Sequence, residues 1–313
     1  AWLELYDFPV VYFPKFFHPG PTVKRQSGFL KPEFGSSNNL GSSLYTPYFL
    51  LISEDRDLTI KPRLFDSNKY LIQSEYRQKT KNSVTTADFG FLNGHKSSAQ
   101  DKAVNRSHLF TNTLVDLSLK NFNRSMLQIN FQKTSNDNYL KLFDLQSSLP
   151  LNNSVLESKI ELDLGHDKYN LITSFEMYET LTGTNNDRYQ YVLPNYNFSR
   201  NFNSKTLNGW FNFNSTGSNM LNNTNVITSS VINDLKYTAS NNISDNGIKT
   251  NFNILLKNIN SVGRNTTIYK NSPQSELMSS YAYNASLPLS KKTPRTFNTL
   301  EPKLSLRFSP HDM

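Results

Sequence analysis

The sequence predicts an all-β protein whose strands have two unlike faces. Three observations lead there. Apolar and polar residues alternate with period two through most of the chain, helical periodicity is nearly absent, and runs rich in Asn, Ser, Gly and Asp separate the alternating stretches. Composition agrees: only 36% of residues are hydrophobic, yet 13% are aromatic, with 16 Tyr and 22 Phe. Disordered chains are poor in rings, and typical soluble cores are drier than this. Strands whose two sides meet different media reconcile the two figures.

The chain opens on a proline-rich aromatic run, AWLELYDFPVVYFPKFFHPGPT, and a boundary is expected near residue 24. Because it starts at Ala1 inside a strand-like run, it reads as a piece of a longer chain, with any export signal upstream. KRQSGFLKPEFGSSNNLGSSLYTPYFLL then reads as two strands, 28–35 and 44–52, joined by a polar turn. Each carries a proline, Pro32 and Pro47, although proline has no N–H and is normally kept out of strand interiors. Further on, Leu127, Ile129 and Phe131 alternate with Met126, Gln128, Asn130 and Gln132. Ile160, Leu162 and Leu164 alternate with Glu161 and Asp163, and Leu171, Thr173, Phe175 and Met177 share one side. Leu304, Leu306 and Phe308 face away from Glu301, Lys303, Ser305 and Arg307. No repeat of 20–50 residues recurs, which counts against a solenoid or propeller.

Charge and motifs exclude several functions. The formal net charge is +8, but the basic residues are scattered singly, so no nucleic-acid tail is expected; anionic lipid headgroups and acidic glycolipids remain suitable partners. Cysteine is absent, which removes disulfides, thiolate metal sites and cysteine nucleophiles. His18, His95, His108, His166 and His311 are far apart and show no metal-ligand spacing. Glu54, Asp55 and Asp57 in SEDRDLT read as a turn rather than as paired catalytic carboxylates, since Arg56 interrupts them between two strand-like runs. TSNDNYLKLFD lacks the glycine and terminal glutamate of a calcium loop. No catalytic residue, metal ligand or cofactor is expected. No apolar run approaches the ~18 residues of a membrane helix.

Alternation by itself suits a soluble β-sandwich as well as a membrane barrel. Tyr and Phe cluster near strand ends, as in YLIQSEYR and YQYVLPNYNF, where membrane barrels place their interfacial rings.

The stretch FPVVYFPKFFHPGPTVKRQSGFLKPEFGSS resembles the junction of the LPS-assembly outer-membrane protein family, LptD, also called organic solvent tolerance protein. There an aromatic run ends a periplasmic β-jellyroll and an R-x-SGFL-P run opens the barrel. The matching residues are Tyr12, Pro14, Pro19, Arg25, Ser27, Gly28, Phe29, Leu30 and Pro32. TPYFLLISEDRDLTIKPRLF, TSNDNYLKLF, DRYQYVLPNYNF and TLEPKLSLRFSP resemble later segments of the family in the same order. The resemblance implies a transmembrane antiparallel β-barrel, present in part, with 1–24 as the end of the jellyroll and 25–313 as the N-terminal part of the barrel. At roughly 20–25 residues per strand and turn, about 11–14 strands would be present. A piece of a larger barrel has an open edge in lipid, so it should not be stable in a membrane alone.

The function so implied is insertion of lipopolysaccharide into the outer leaflet of a Gram-negative outer membrane, without catalysis. An LptE-type lipoprotein plug and a periplasmic LptA-type bridge, docked on the jellyroll, are the implied protein partners. Pro32 and Pro47 are then expected to soften a lateral gate by deleting ladder donors, where the bland alternative has them merely terminating short strands. Tyr12, Pro14, Lys24, Arg25, Ser27, Gly28 and Phe29 are the expected junction and lipopolysaccharide-path residues. Rival readings are a passive outer-membrane porin or receptor, and a soluble carbohydrate-binding β-protein.

Overall fold

The computed structural model describes residues 2–5, 8–12, 25–37, 40–66, 69–96, 102–143, 145, 147–149, 154–182 and 188–310. Two compact units are distinguished, residues 1–78 with 89–105 and residues 79–88 with 106–313. The fold is all-β, and its antiparallel strands pair mostly with their chain neighbours, the connectivity of a partial β-barrel.

The first unit begins with a hairpin of β1 (Trp2–Leu5) and β2 (Phe8–Tyr12), in which Trp2 faces Tyr12. The ladder proper starts with β3 (Gly28–Phe29) and β4 (Glu33–Ser37), followed by β5 (Gly41–Tyr45) and β6 (Tyr48–Ser53). The strands anticipated at 28–35 and 44–52 are thus present, but each is interrupted at its proline. Next come β7 (Arg56–Phe65) and β8 (Tyr70–Lys79), paired from Arg56↔Gln78 to Leu64↔Tyr70. Alternation sorts their side chains. Leu58, Ile60, Pro62 and Leu64 share one face of β7, while Asp57, Thr59, Lys61, Arg63 and Phe65 share the other. β9 (Ser83–His95) has residues in both units.

The second unit is a long meander of most of β10 (Val104–Asp116), whose first two residues belong to the first unit, then β11 (Arg124–Thr134), β12 (Val155–His166), β13 (Tyr169–Thr180), β14 (Tyr189–Ser204), β15 (Gly209–Asn222) and β16 (Val226–Ala239). It continues through the two-residue stub β17 (Asn242–Ile243), β18 (Lys249–Arg264), β19 (Gln274–Ser286) and β22 (Lys303–Phe308). β20 (Leu289–Lys292) and β21 (Phe297–Leu300) form a separate hairpin. Outside the two separate hairpins, 18 strands take part in barrel-type ladders among the described residues. Counting β3 with β4 and β5 with β6, and setting the stub aside, leaves fifteen, slightly above the length-based estimate.

Cross-strand register shows what the alternation is for. Ile129 faces Ile160, which faces Phe175; one step along, Leu127 faces Leu162 and Leu164 faces Leu171. The opposite side of the same strands carries Gln128↔Glu161↔Ser174 and Asn130↔Lys159↔Glu176. In the apolar row, Ile160 and Phe175 are 52% and 51% exposed, so no described residue covers them. A soluble sandwich would bury that row against a second sheet. Strands that meet hydrocarbon on this side and water on the other need no such cover.

Between β11 and β12 lies a long excursion, and its core is aromatic. α1 (Tyr139–Leu142) has no side-chain cap; burial of Tyr139, Leu140 and Phe143 holds it instead. The same excursion parts the neighbouring strands. The β11–β12 ladder stops at Asn130↔Lys159, and side chains take over. Asn130 Nδ2 donates to the Glu157 carbonyl, Glu157 N–H donates to Gln132 Oε1, and Gln132 Nε2 donates to the Leu149 carbonyl. Buried Gln132 thereby satisfies backbone groups that a regular ladder would have paired.

Candidate functional site: the softened seam and its polar face

Opposite Phe29 stands Tyr48, and opposite Gly28 stands Phe49. The next pair in that register, Leu30 and Pro47, is only half made. Leu30 N–H donates to the Pro47 carbonyl at 2.8 Å, but the return bond needs an N–H that proline lacks. Beyond it, three residues (Leu30, Lys31, Pro32) oppose two (Thr46, Pro47) before pairing resumes at Glu33↔Tyr45. That extra residue is a β-bulge, with Pro32 in it and another donor lost there. The interruption is therefore geometric as well as a matter of missing hydrogen bonds.

One strand further in, the defect repeats. Thr46 N–H donates to the Pro62 carbonyl at 3.1 Å, in register with Tyr45↔Arg63 and Tyr48↔Ile60. Here too the return donor is missing, because residue 62 is proline. Pro62 falls within the segment TPYFLLISEDRDLTIKPRLF, and its signal is visible in the sequence: TIKPRLF is an alternating strand with proline at its centre. Two adjacent junctions each thus lack one bond of a pair. β7 runs straight through Pro62, whereas Pro32 and Pro47 fall between strand segments.

The residues expected at the junction fall as follows. Tyr12 lies in β2, whereas Pro14 and Lys24 lie outside the described residues. Arg25, Ser27, Gly28 and Phe29 come together beside β6. Phe29, 80% exposed, meets Tyr48 edge-on at 5.0 Å between ring centres on the face of Leu58 and Ile60. Ser27 Oγ accepts the Leu51 N–H at 2.8 Å, extending the ladder by a side chain. Ser27→Ala should remove about 1 kcal/mol and speed hydrogen exchange at the Leu51 amide; an unchanged Leu51 rate would show that solvent replaces the bond without cost.

Arg25 turns to the polar face, with its guanidinium 5.2 Å from the Phe49 ring centre and hydrogen-bonded to Asp57. Arg77 reaches the same carboxylate from β8. SEDRDLT is a turn at Glu54 and Asp55, as anticipated, but Asp57 belongs to β7 and is buried. Its partners are distant in sequence, so its role was not legible there. Farther along this face Lys61 pairs with Glu75, and Arg63 donates to Ser43 Oγ.

The second unit holds a group that sequence spacing hides. His108 Nε2 lies 3.3 Å from Asp88 Oδ1, and His108 Nδ1 lies 3.3 Å from Tyr139 Oη, with all three side chains buried. The His108 ring stacks on Phe110 at 4.6 Å, and Tyr139 contacts Phe143. Burial pushes the Tyr139 phenol up, and the nearby Asp88 carboxylate adds to it, so this hydroxyl stays a donor at neutral pH. These contacts fasten α1 to β10. A further cluster, Lys133, Arg188, Tyr189 and Asp137 around buried Glu179, ties the ends of β11, β13 and β14 to the loops beside them.

No family model matches the chain. Individual proteins do. LPS-assembly protein LptD of Pseudomonas aeruginosa strain LESB58 is 37% identical over 93 residues, covering 30% of this chain and 10% of the relative. LPS-assembly protein LptD of Legionella pneumophila strain Paris is 32% identical over 153 residues, covering 46% of this chain and 18% of the relative. That of Pseudomonas fluorescens strain Pf-5 is 29% identical over 147 residues, 46% of this chain and 15% of the relative.

Over the matched stretches the chain is similar to LPS-assembly proteins LptD.

The matches span only 10–18% of these relatives' own length. What the LptD resemblance implied about fold class agrees with the all-β antiparallel architecture and its exposed apolar row.

Proposed function

We propose that this chain forms the gate-bearing part of an outer-membrane barrel that inserts lipopolysaccharide into the outer leaflet. The observation that carries the reading is the pair of adjacent half-made junctions, Leu30/Pro47 and Thr46/Pro62, in a chain with an exposed apolar row. In water a missing bond costs about 1 kcal/mol because solvent substitutes. In hydrocarbon no substitute exists, so a strand joined by fewer bonds is the easiest place for a sheet to part. A sideways opening suits an amphiphile whose acyl chains belong in the membrane and whose sugars and phosphates need a wet path.

In this reading residues 1–24 end a periplasmic jellyroll and 25–313 begin the barrel. Lys24 and Arg25 meet incoming phosphates, and Phe29 faces the acyl chains. An LptE-type lipoprotein fills the barrel, an LptA-type bridge delivers substrate, and no chemistry is done on the cargo. A passive porin gives no reason for three prolines in adjacent strand segments.

The test uses the full-length protein in its Gram-negative host. Depletion should stop newly made lipopolysaccharide from reaching the cell surface, while other outer-membrane proteins still assemble. Normal surface labelling of new lipopolysaccharide after depletion would remove the reading.

A further inference from the structure

Two ionic groups lie along the polar face of β7 and β8, and they are built differently. Lys61 and Glu75 form a one-to-one pair at 2.7 Å, each side chain only 16% exposed. This pair is balanced and closed. Asp57, 6% exposed, instead receives two cations: Arg25 Nη2 on Oδ2 at 2.5 Å and Arg77 Nε on Oδ1 at 2.9 Å. Both of its oxygens are occupied. The two guanidiniums are 54% and 46% exposed, and the triad keeps one uncompensated positive charge.

A pair serving only stability has no need of a second, half-solvated cation. Each guanidinium carries five N–H donors in a rigid fork and here commits one to Asp57. The remaining donors are held rather than floppy, since Asp57 fixes both arginines and Phe49 supports the Arg25 plane. Forked guanidiniums suit tetrahedral oxyanions, which accept paired N–H bonds.

We propose that Arg25 and Arg77, spread apart by Asp57, form a binding site for a phosphate group, carried by a phosphorylated glycolipid or present as the free ion. The site rests on the export reading and narrows it to a defined pair of side chains, adding Arg77 as a ligand and Asp57 as a positioning residue. It lies beside Ser27 and Gly28, where the chain passes into the first ladder strand.

The full-length protein in detergent, at about 0.15 M salt, is titrated with a bis-phosphorylated acylated disaccharide, with the same lipid after phosphatase treatment, and with inorganic phosphate. The parent should prefer the phosphorylated lipid. Arg77→Ala should weaken that binding about tenfold and leave the dephosphorylated lipid unaffected, with Arg77→Lys in between. Heat-modifiable gel migration reports that each variant is folded. If the parent shows the preference and neither Arg77→Ala nor Arg25→Ala reduces it, the site is overturned and the export reading stands. If the parent binds no glycolipid but loses inorganic phosphate on Arg77→Ala, the site stands for the free ion and the export reading fails. Binding of neither probe overturns both.

Discussion

Replacing Pro32 and Pro47 by alanine in the full-length protein should lower surface lipopolysaccharide severalfold and sensitise cells to detergent, while the barrel folds normally. At position 47 the new N–H faces the Leu30 carbonyl, whose own N–H already donates to residue 47. The half pair becomes a full one without moving a strand. At position 32 the gain is a donor within the bulge. Each restored bond contributes about 1 kcal/mol in water and more in hydrocarbon, so under the proposed export role the seam becomes harder to open. Adding Pro62→Ala should deepen the defect, because it completes Thr46↔Pro62 one strand further in. The result that would sink the gate is a triple alanine variant with parental surface lipopolysaccharide and parental detergent resistance.

Phe110→Ala should release the α1 segment. The Phe110 ring is fully buried and stacks on His108, which in turn meets Tyr139 of α1. Truncating a buried phenylalanine costs about 3–5 kcal/mol, more than a four-residue helix without a side-chain cap can supply by itself. Limited proteolysis of the folded full-length protein should therefore cut within 135–154 at a rate the parent does not show. Tyr139→Phe keeps the ring and loses one hydrogen bond, so it should loosen the segment by about 1 kcal/mol only. Equal protection of parent and Phe110→Ala would mean that Leu140, Phe143 and Leu145 suffice to hold the segment down.

The strands were legible because their signal is local. In SMLQINFQK and SKIELDLGH the side-chain period is two, and the paired rows Leu127↔Leu162 and Ile129↔Ile160 follow directly from it. Pro32 and Pro47 were legible as anomalies for the same reason. Pro62 was equally visible as a proline inside an alternating run, but no turn or boundary drew attention to it. Gln132 was placed on the polar side of its strand, and nothing nearby reveals that it stands in for a ladder bond.

What the sequence determined by itself is the class of object: alternating strands, two unlike faces, proline where a ladder wants a donor. Alternation acts between neighbours two residues apart, so no knowledge of the fold is needed to read it. Tertiary structure alone decided which groups meet. Asp57 joins Arg25, 32 residues away, and Arg77, 20 residues away; His108 joins Asp88 and Tyr139 across two strands and a loop. Such encounters depend on strand register and on how a long excursion packs, and a shift of one residue would send each of these side chains to the opposite face.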